Sequence, residues 1–290
     1  MQDTTNTMAE APLVYCIVLN WNGWKDTLDC LDSLAKQRYE RLKVIVVDNG
    51  STDESVDEIS QAFPSVWLIR NGANLGFAGG NNVGIRMALD EGADFIWLLN
   101  NDTLVPPDTA EKLVAKALQV PKAGEVGSVL YHMNEPDTVQ AWGGATLSPW
   151  NLYRPELVTA PRKFMKNTAL MGASVLLRRE TLREVGLLDD SYFMDFEDSD
   201  LSFRIQKAGW GLVVAEDTRI LHKGGASFQG QNLKRIRFST ASYLRFVQRH
   251  GRLSSVVRFV FCISVLFNRV RRRDWIAFEA IRAGIRDAKG

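Results

Sequence analysis

Pro12-Leu13-Val14-Tyr15-Cys16-Ile17-Val18-Leu19-Asn20 is the stretch on which the fold turns. Seven mostly apolar residues stand between a proline and a polar asparagine, and a run without polar alternation suits a strand covered on both faces, the habit of a parallel sheet. Trp24, Leu28, Leu31 and Leu34 follow at three- to four-residue spacing, which predicts an amphipathic helix over 24–37. Leu42 to Val47 repeats the apolar run and ends in Asp48-Asn49-Gly50-Ser51-Thr52-Asp53, a turn able to cap the next helix. A third strand is predicted at Val66 to Arg70. The loop Asn74 to Asn82 then leads into a helix through Leu89, and a fourth strand is predicted at Phe95 to Leu99. Strands alternating with helices define an α/β fold with a parallel sheet and right-handed crossovers.

Ligands of such sheets bind beyond the carboxyl ends of the strands. Asn20, Asp48 and Asn100 to Asp102 all fall there, and chain reversal alone requires no such recurrence of polar clusters. Past Gly127 the pattern loosens, with a strand near Val126 to Tyr131, a turn at Gly143-Gly144 and a proline-interrupted, flexible stretch from Pro149 to Pro161. A strand over Ala169 to Arg178, a helix from Arg179 and an acidic loop from Asp195 to Asp200 are expected next.

Composition narrows the function. With 46% hydrophobic and 24% charged residues in 290, the chain has enough apolar material for a large core. Thirty-five basic residues against 34 acidic ones leave a net charge of +1, so no overall field selects nucleic acid. Cys16, Cys30 and Cys262 match neither a disulfide framework nor a zinc knuckle, which fits a reducing cytoplasm. Residues 1–12 lack the apolar run of a secretory signal and read as a disordered leader.

Four groups carry candidate chemistry. Asn74-Leu75-Gly76-Phe77-Ala78-Gly79-Gly80-Asn81-Asn82 combines close backbone approach with side-chain amides, which suits a phosphate or a sugar, or simply a tight helix entry. It matches neither the dinucleotide fingerprint nor the Walker loop. Asp102, after the fourth strand, is a candidate ligand for a hard cation such as Mg²⁺ or Mn²⁺, the alternative being a turn before Pro106-Pro107. In Asp195-Phe196-Glu197-Asp198-Ser199-Asp200, carboxylate repulsion raises proton affinity. We assign general-base chemistry to Asp198 and a structural pair with Arg204 to Asp200. His222 is a candidate metal ligand and Lys223 a candidate phosphate contact, whereas His132 and His250 have no such setting.

In this order the segments resemble the inverting family 2 glycosyltransferases of the GT-A fold, in particular the bacterial rhamnosyltransferase-like branch. The matching pieces are Ile17 to Asn22, Val46 to Asp53, Asn74 to Asn81, Leu98 to Asp102, Gly172-Ala173, Glu197 to Asp200 and Ile220 to His222. The resemblance implies a Rossmann-like nucleotide-diphospho-sugar transferase fold with a mostly parallel sheet. Nucleotide binding would fall to Asn20, Trp21, Asn22, Asp48, Asn49, Asn74, Gly76, Asn81 and Asn101, with Trp21 beside the base and Asp48 hydrogen-bonding it. Gly79, Gly80, Gly172 and Glu197 would meet sugar or acceptor. Asp102 matches the metal-binding aspartate of the family's D-x-D motif, whose first acidic position here is Asn100. The ion, Mg²⁺ or Mn²⁺, would therefore rest on Asp102, His222 and the diphosphate. Asp198 matches the catalytic base.

The expected reaction is transfer of a sugar, L-rhamnose from dTDP-rhamnose being favoured, to a hydroxyl of a saccharide acceptor in cell-surface polysaccharide synthesis. Galactofuranose, glucose and N-acetylglucosamine are the other donor sugars, and a sugar nucleotidyltransferase or a non-catalytic glycan-binding protein are the rival functions. We expect a catalytic domain over 13–228 and a helical extension over 229–290. Val256 to Phe267 is too short to span a bilayer. Followed by Arg269, Arg271, Arg272 and Arg273, it suits either the inner face of the cell membrane, with a lipid-linked acceptor, or a homodimer contact.

Overall fold

The computed structural model describes residues 10–163, 167–224 and 232–288, so the expected leader lies, as far as residue 9, outside the described residues. The first four strands follow the sequence pattern closely: β1 (Val14–Asn20), β2 (Leu42–Asp48), β3 (Trp67–Arg70) and β4 (Phe95–Asn100), pairing in parallel in the order β3-β2-β1-β4. Alternate residues of β1 enter two separate cores. Val14, Cys16 and Val18 face α1 (Trp24–Leu34) and α4 (Thr109–Gln119), and Tyr15 and Ile17 face α3 (Gly76–Asp90). That double burial is why the run lacks polar alternation. The short helix α2 (Ser55–Ala62) adds Ile59 to the first core.

Beyond β4 the sheet continues through β11 (Ser174–Arg178), β6 (Ala123–His132), β12 (Gly211–His222) and β5 (Thr103–Leu104), with β7 (Glu135–Trp142) also on β6. Here β11 runs antiparallel to β4 and β6, which makes the sheet mostly parallel rather than wholly so. A second, three-stranded sheet joins β8 (Gly144–Thr146), β9 (Glu156–Leu157) and β10 (Thr168–Leu170).

Three expectations need correction. The Gly-rich loop is mostly helix: α3 begins at Gly76, so Gly79, Gly80 and Asn81 lie in its first turns. The strand expected over Ala169 to Arg178 is two strands in different sheets, separated at Met171-Gly172-Ala173. The acidic loop ends early, because α6 (Glu197–Lys207) starts at Glu197. The proline-interrupted stretch contains β9 and a 3-10 turn at Pro149–Asn151, and residues 164–166 lie outside the described ones.

After α5 (Arg179–Val185), α6 and β12, the chain ends in α7 (Asn232–His250), α8 (Ser254–Arg271) and α9 (Trp275–Asp287). Tyr243, Phe246 and Val247 of α7 share a third core with Leu147, Tyr153 and Tyr192 of the preceding chain. Ser242 Oγ donates to Met194 O at 2.7 Å, tying α7 to the segment that leads into α6.

Candidate active site

A cavity of about 260 Å³ opens at the carboxyl ends of β1, β2, β4 and β12, where an open parallel sheet holds its ligands. Its wall includes Trp21, Asn49, Asn74, Gly76, Asn101, Asp102, Gly172, Glu197, Asp198 and His222, ten of the residues singled out in the sequence. Leu19, Phe77, Met171 and Phe193 supply apolar surface.

Other singled-out residues sit one layer behind. Asn20 is fully buried; it donates to Asp48 Oδ1 at 2.9 Å and accepts from Thr27 Oγ at 2.8 Å. Asp48 Oδ2 accepts from Ser51 N at 3.1 Å, so each carboxylate oxygen is held by one hydrogen bond within the chain. Asn22 accepts from Thr52 N, and Asn81 donates to Phe77 O inside α3. A Cβ on Gly80 would meet Leu19 Cδ1 at 2.6 Å, so that glycine serves the packing of α3 on β1. Gly79 is likewise buried in α3, away from the cavity wall. Lys223 pairs with Asp26 at 2.9 Å instead of facing the cavity.

Asn49 fixes the entry to α3. Its Nδ2 donates to Asn74 Oδ1 and Gly76 O, both at 3.0 Å, and its Oδ1 accepts from Leu75 N. Gly76 has φ +76, and a Cβ there would lie 2.3 Å from Phe193 O, so only glycine lets the two loops close on each other.

At the other side, Met171-Gly172-Ala173 crosses from one sheet to the other and presents Gly172 N to Asp198 Oδ2 at 3.0 Å. Asp198 Oδ1 accepts from Ser199 N at 2.6 Å and from Ser199 Oγ at 3.2 Å. Burial raises the Asp198 pKa further than these hydrogen bonds lower it, leaving a carboxylate with more than ordinary proton affinity. Glu197 is pushed up strongly by burial and by the Asp198 charge, and its Oε2 has no hydrogen-bond partner among the described residues. The two residues before α6, Asp195 and Phe196, both have positive φ, 61 and 70. That costs on the order of 1–3 kcal/mol each for side chains that disfavour the region. The strained turn directs Asp195 to the cavity while Phe196 packs on Tyr243 and Phe246.

Asp102 and His222 meet at the end of β12. Asp102 Oδ1 lies 3.3 Å from His222 Nε2, and Asp102 Oδ2 accepts from Gly224 N at 3.1 Å. Burial opposes ionisation of Asp102, but the His222 ring and backbone hydrogen bonds outweigh it and hold its pKa below the ordinary value. His222 Nδ1–H donates to Gln140 Oε1 at 2.7 Å. An imidazole nitrogen and a carboxylate oxygen side by side fit a shared divalent cation. Among the described residues no third His, Cys, Asp or Glu joins them.

Arg235 of α7 also lines the cavity. In the sequence it is one arginine of a basic tail, and only the return of α7 to the site distinguishes it.

Fold and site together are those of a nucleotide-sugar glycosyltransferase of the GT-A type. The family profile of glycosyl transferase family 2 matches residues 15–186, and the chain belongs to that family. It is 30% identical over 214 residues to the N-acetylglucosaminyl-diphospho-decaprenol L-rhamnosyltransferase of Mycobacterium tuberculosis, covering 66% of this chain and 70% of the relative. It is 23% identical to the dTDP-rhamnosyl transferase RfbF of Shigella flexneri over 212 residues, 73% of this chain and 69% of that one. Among solved structures, the mannosyltransferase PcManGT of Pyrobaculum calidifontis, in complex with GDP-Man and Mn²⁺, superposes with a TM-score of 0.60 at 18% identity, over 97% of this chain and 76% of that one. GalNAc-T7 with UDP, GalNAc and Mn²⁺ gives 0.62 at 17% identity, over 87% and 54%. Both share the fold.

Proposed function

We propose that the protein is an inverting, metal-assisted glycosyltransferase that moves a sugar from a nucleoside diphosphate to a saccharide hydroxyl, with Asp198 as general base. The observation that carries this reading is the placement of Asp198, fixed by Gly172 N at 3.0 Å, in the same cavity as the Asp102–His222 pair. The acceptor hydroxyl gives its proton to Asp198 as its oxygen bonds to the anomeric carbon, while the bond from that carbon to the diphosphate breaks. One displacement inverts the configuration. Asp102 and His222 would hold Mg²⁺ or Mn²⁺, which as a Lewis acid offsets charge on the departing diphosphate. Arg235 adds a second positive charge at the cavity, and Glu197, whose proton affinity burial raises, faces sugar or acceptor. Trp21 and Asn101 supply the exposed part of the nucleotide site, with Asn20, Asp48 and Asn49 holding the loops behind them.

The donor we favour is dTDP-rhamnose, since one relative is a dTDP-rhamnosyl transferase and another an L-rhamnosyltransferase. The latter's name specifies an acceptor sugar on diphospho-decaprenol, which supports a lipid-linked saccharide acceptor here. Among the described residues no helix is long and apolar enough to cross a membrane. We place the protein in the cytoplasm with its proposed nucleotide-sugar donor, its helical extension against the inner face of the cell membrane or against a second copy.

The test is a panel of nucleotide sugars with Mn²⁺, scored by binding and by release of nucleoside diphosphate in the presence of lipid-linked and soluble saccharides. Release that requires both one donor and a saccharide supports transfer. Release of pyrophosphate instead, or binding of no donor, overturns it.

A further inference from the structure

We propose that the outward face of α8 is a docking surface for an anionic lipid bilayer. Val256, Phe259, Val260, Ile263 and Phe267 recur at the spacing of one helical face, and Phe259, Ile263 and Phe267 are 66%, 52% and 65% exposed. The opposite face supplies Val257, Phe261 and Cys262 to the third core, so α8 is apolar on both sides although only one side is covered. Past the turn Trp275 and Ile276 are also 57% and 67% exposed, the first with an indole suited to the headgroup region.

Charge selects the occupant. Residues 251–273 contain six arginines and no aspartate or glutamate. Arg269 pairs with Asp274, whereas Arg271, Arg272 and Arg273 are exposed without an ion pair among those found in the described residues. A second copy seated on the same face would set this acid-free segment against itself, because a two-fold interface repeats one patch on both partners. An anionic headgroup layer accepts both features, apolar side chains below and guanidinium groups at phosphate level. This surface rests on the proposed lipid-linked acceptor only for its purpose, since its composition argues for it without reference to sugar transfer.

The experiment is co-sedimentation of the full chain with phosphatidylglycerol or phosphatidylcholine vesicles at low and high salt. We expect binding to phosphatidylglycerol at least about tenfold tighter than to phosphatidylcholine, and weaker in salt. The variant Phe259→Ser/Ile263→Ser/Phe267→Ser should lose that binding while keeping its melting temperature and its turnover of a soluble acceptor. Arg271→Glu/Arg272→Glu/Arg273→Glu should lose the preference for phosphatidylglycerol. Failure of the unaltered protein to sediment overturns the proposal, as does a serine variant that still binds or one whose main effect is to break a dimer in sedimentation velocity. Vesicle binding without sugar transfer from any donor would instead count against the glycosyltransferase reading alone.

A separate observation assigns Gln140 as the positioning residue of the metal pair. Leu130 pairs with Ala141 and Tyr131 with Val139, so Gln140 is the extra residue of a β-bulge in β7. Bulges re-aim side chains, and this one turns the Gln140 amide to His222 Nδ1. Its Nε2 faces His132 Nδ1 at 3.5 Å, leaving Oε1 to accept the His222 proton, and Asn100 Nδ2 donates towards His222 Nε2 at 3.5 Å. Both contacts favour the ring proton on Nδ1, which leaves Nε2 as the nitrogen available to a cation. The reading rests on Asp102 and His222 as metal ligands. Gln140→Leu should weaken Mn²⁺ binding, followed by electron paramagnetic resonance with thymidine diphosphate present, by about 10- to 100-fold. It should also abolish the Nδ1–H signal of His222 in imidazole nitrogen NMR. Gln140→Glu, which accepts the same proton, should restore both. Unchanged Mn²⁺ binding in Gln140→Leu, or equal weakness in Gln140→Glu, overturns this role. Mn²⁺ binding unaffected by His222→Ala overturns the metal reading beneath it.

Discussion

His250 Nε2 donates to Asp200 Oδ1 at 2.7 Å, joining the end of α7 to the first turn of α6 two residues from the proposed base. Arg204 and Arg249 reach the same fully buried carboxylate at 2.7 and 3.0 Å. Burial works against the charge on Asp200, but the His250 hydrogen bond and the two guanidinium groups outweigh it and hold its pKa far below the ordinary value. Removing the carboxylate strands two guanidinium groups and the His250 N–H. We expect Asp200→Ala to destabilise the fold by about 3–5 kcal/mol, the cost of breaking a buried pair, measured by urea unfolding. Because the folded pKa is depressed, the contribution of Asp200 is present above its unfolded value near 3.8 and is lost as pH falls below it.

Glu125 behaves in the opposite sense. It is buried in β6, where Oε2 accepts from Ser202 Oγ at 2.7 Å and Oε1 has no partner among the described residues. Burial pushes its pKa up to about 8 against a smaller opposing effect of the Ser202 hydrogen bond. The folded state therefore binds the extra proton between the unfolded value of 4.5 and about 8, and stability contributed by this group falls as pH rises through that window. Glu125→Gln mimics the protonated acid and should flatten that fall. The difference between the two proteins should grow from pH 5 to pH 8 by roughly 1 kcal/mol per unit at most. A constant difference in urea unfolding across the window would rule out the buried proton.

Much of this site was legible before the fold. β1, β2 and β4 follow from apolar runs, and their polar ends mark the cavity because the carboxyl edge of a parallel sheet has one place for a ligand. The Asp200–Arg204 pair followed from helical spacing, but Arg249 and His250, about fifty residues away, did not. In the stretch Asn74 to Asn82, glycines that let α3 pack on β1 look like glycines that line a cavity; Gly80 against Leu19 and Gly76 at the cavity wall are told apart only once the helix is in place. Likewise Ala169 to Arg178 reads as one apolar run, and nothing local marks Gly172 as the point where the chain leaves one sheet for the other. Arg235 and Gln140 were invisible for a related reason. Each reaches the site by tertiary placement, one on a returning helix and one through a bulge.

Metal dependence should follow the two facing ligands. Treatment with a chelator is expected to abolish nucleoside diphosphate release, with Mn²⁺ restoring it. His222→Ala should raise the Mn²⁺ needed for half-maximal rate by at least about tenfold. Asp102→Asn should do more harm, since it removes the negative charge as well as a ligand oxygen. Full activity in chelator would refute metal assistance, while unchanged Mn²⁺ dependence in His222→Ala would remove that residue from the ligand set.

The base is tested most cleanly by Asp198→Asn. The amide keeps the size of the carboxylate and its oxygen can still accept from Gly172 N, which should hold the crossing between the sheets, while its Nδ2 then faces Ser199 N and should lower the melting temperature modestly. What it cannot do is take a proton. If Asp198 accepts the proton of the acceptor hydroxyl, turnover should fall by about 10²- to 10⁴-fold, with donor and Mn²⁺ binding unchanged. A fall in donor affinity of similar size would mean that Asp198 holds the sugar and leaves proton transfer to another group, for which Asp195, on the same strained turn and in the same cavity, is a candidate. Raising the pH separates the two cases further. The raised pKa of Asp198 predicts that the unaltered enzyme gains rate as that carboxyl ionises, and that Asp198→Asn loses this rise along with the turnover.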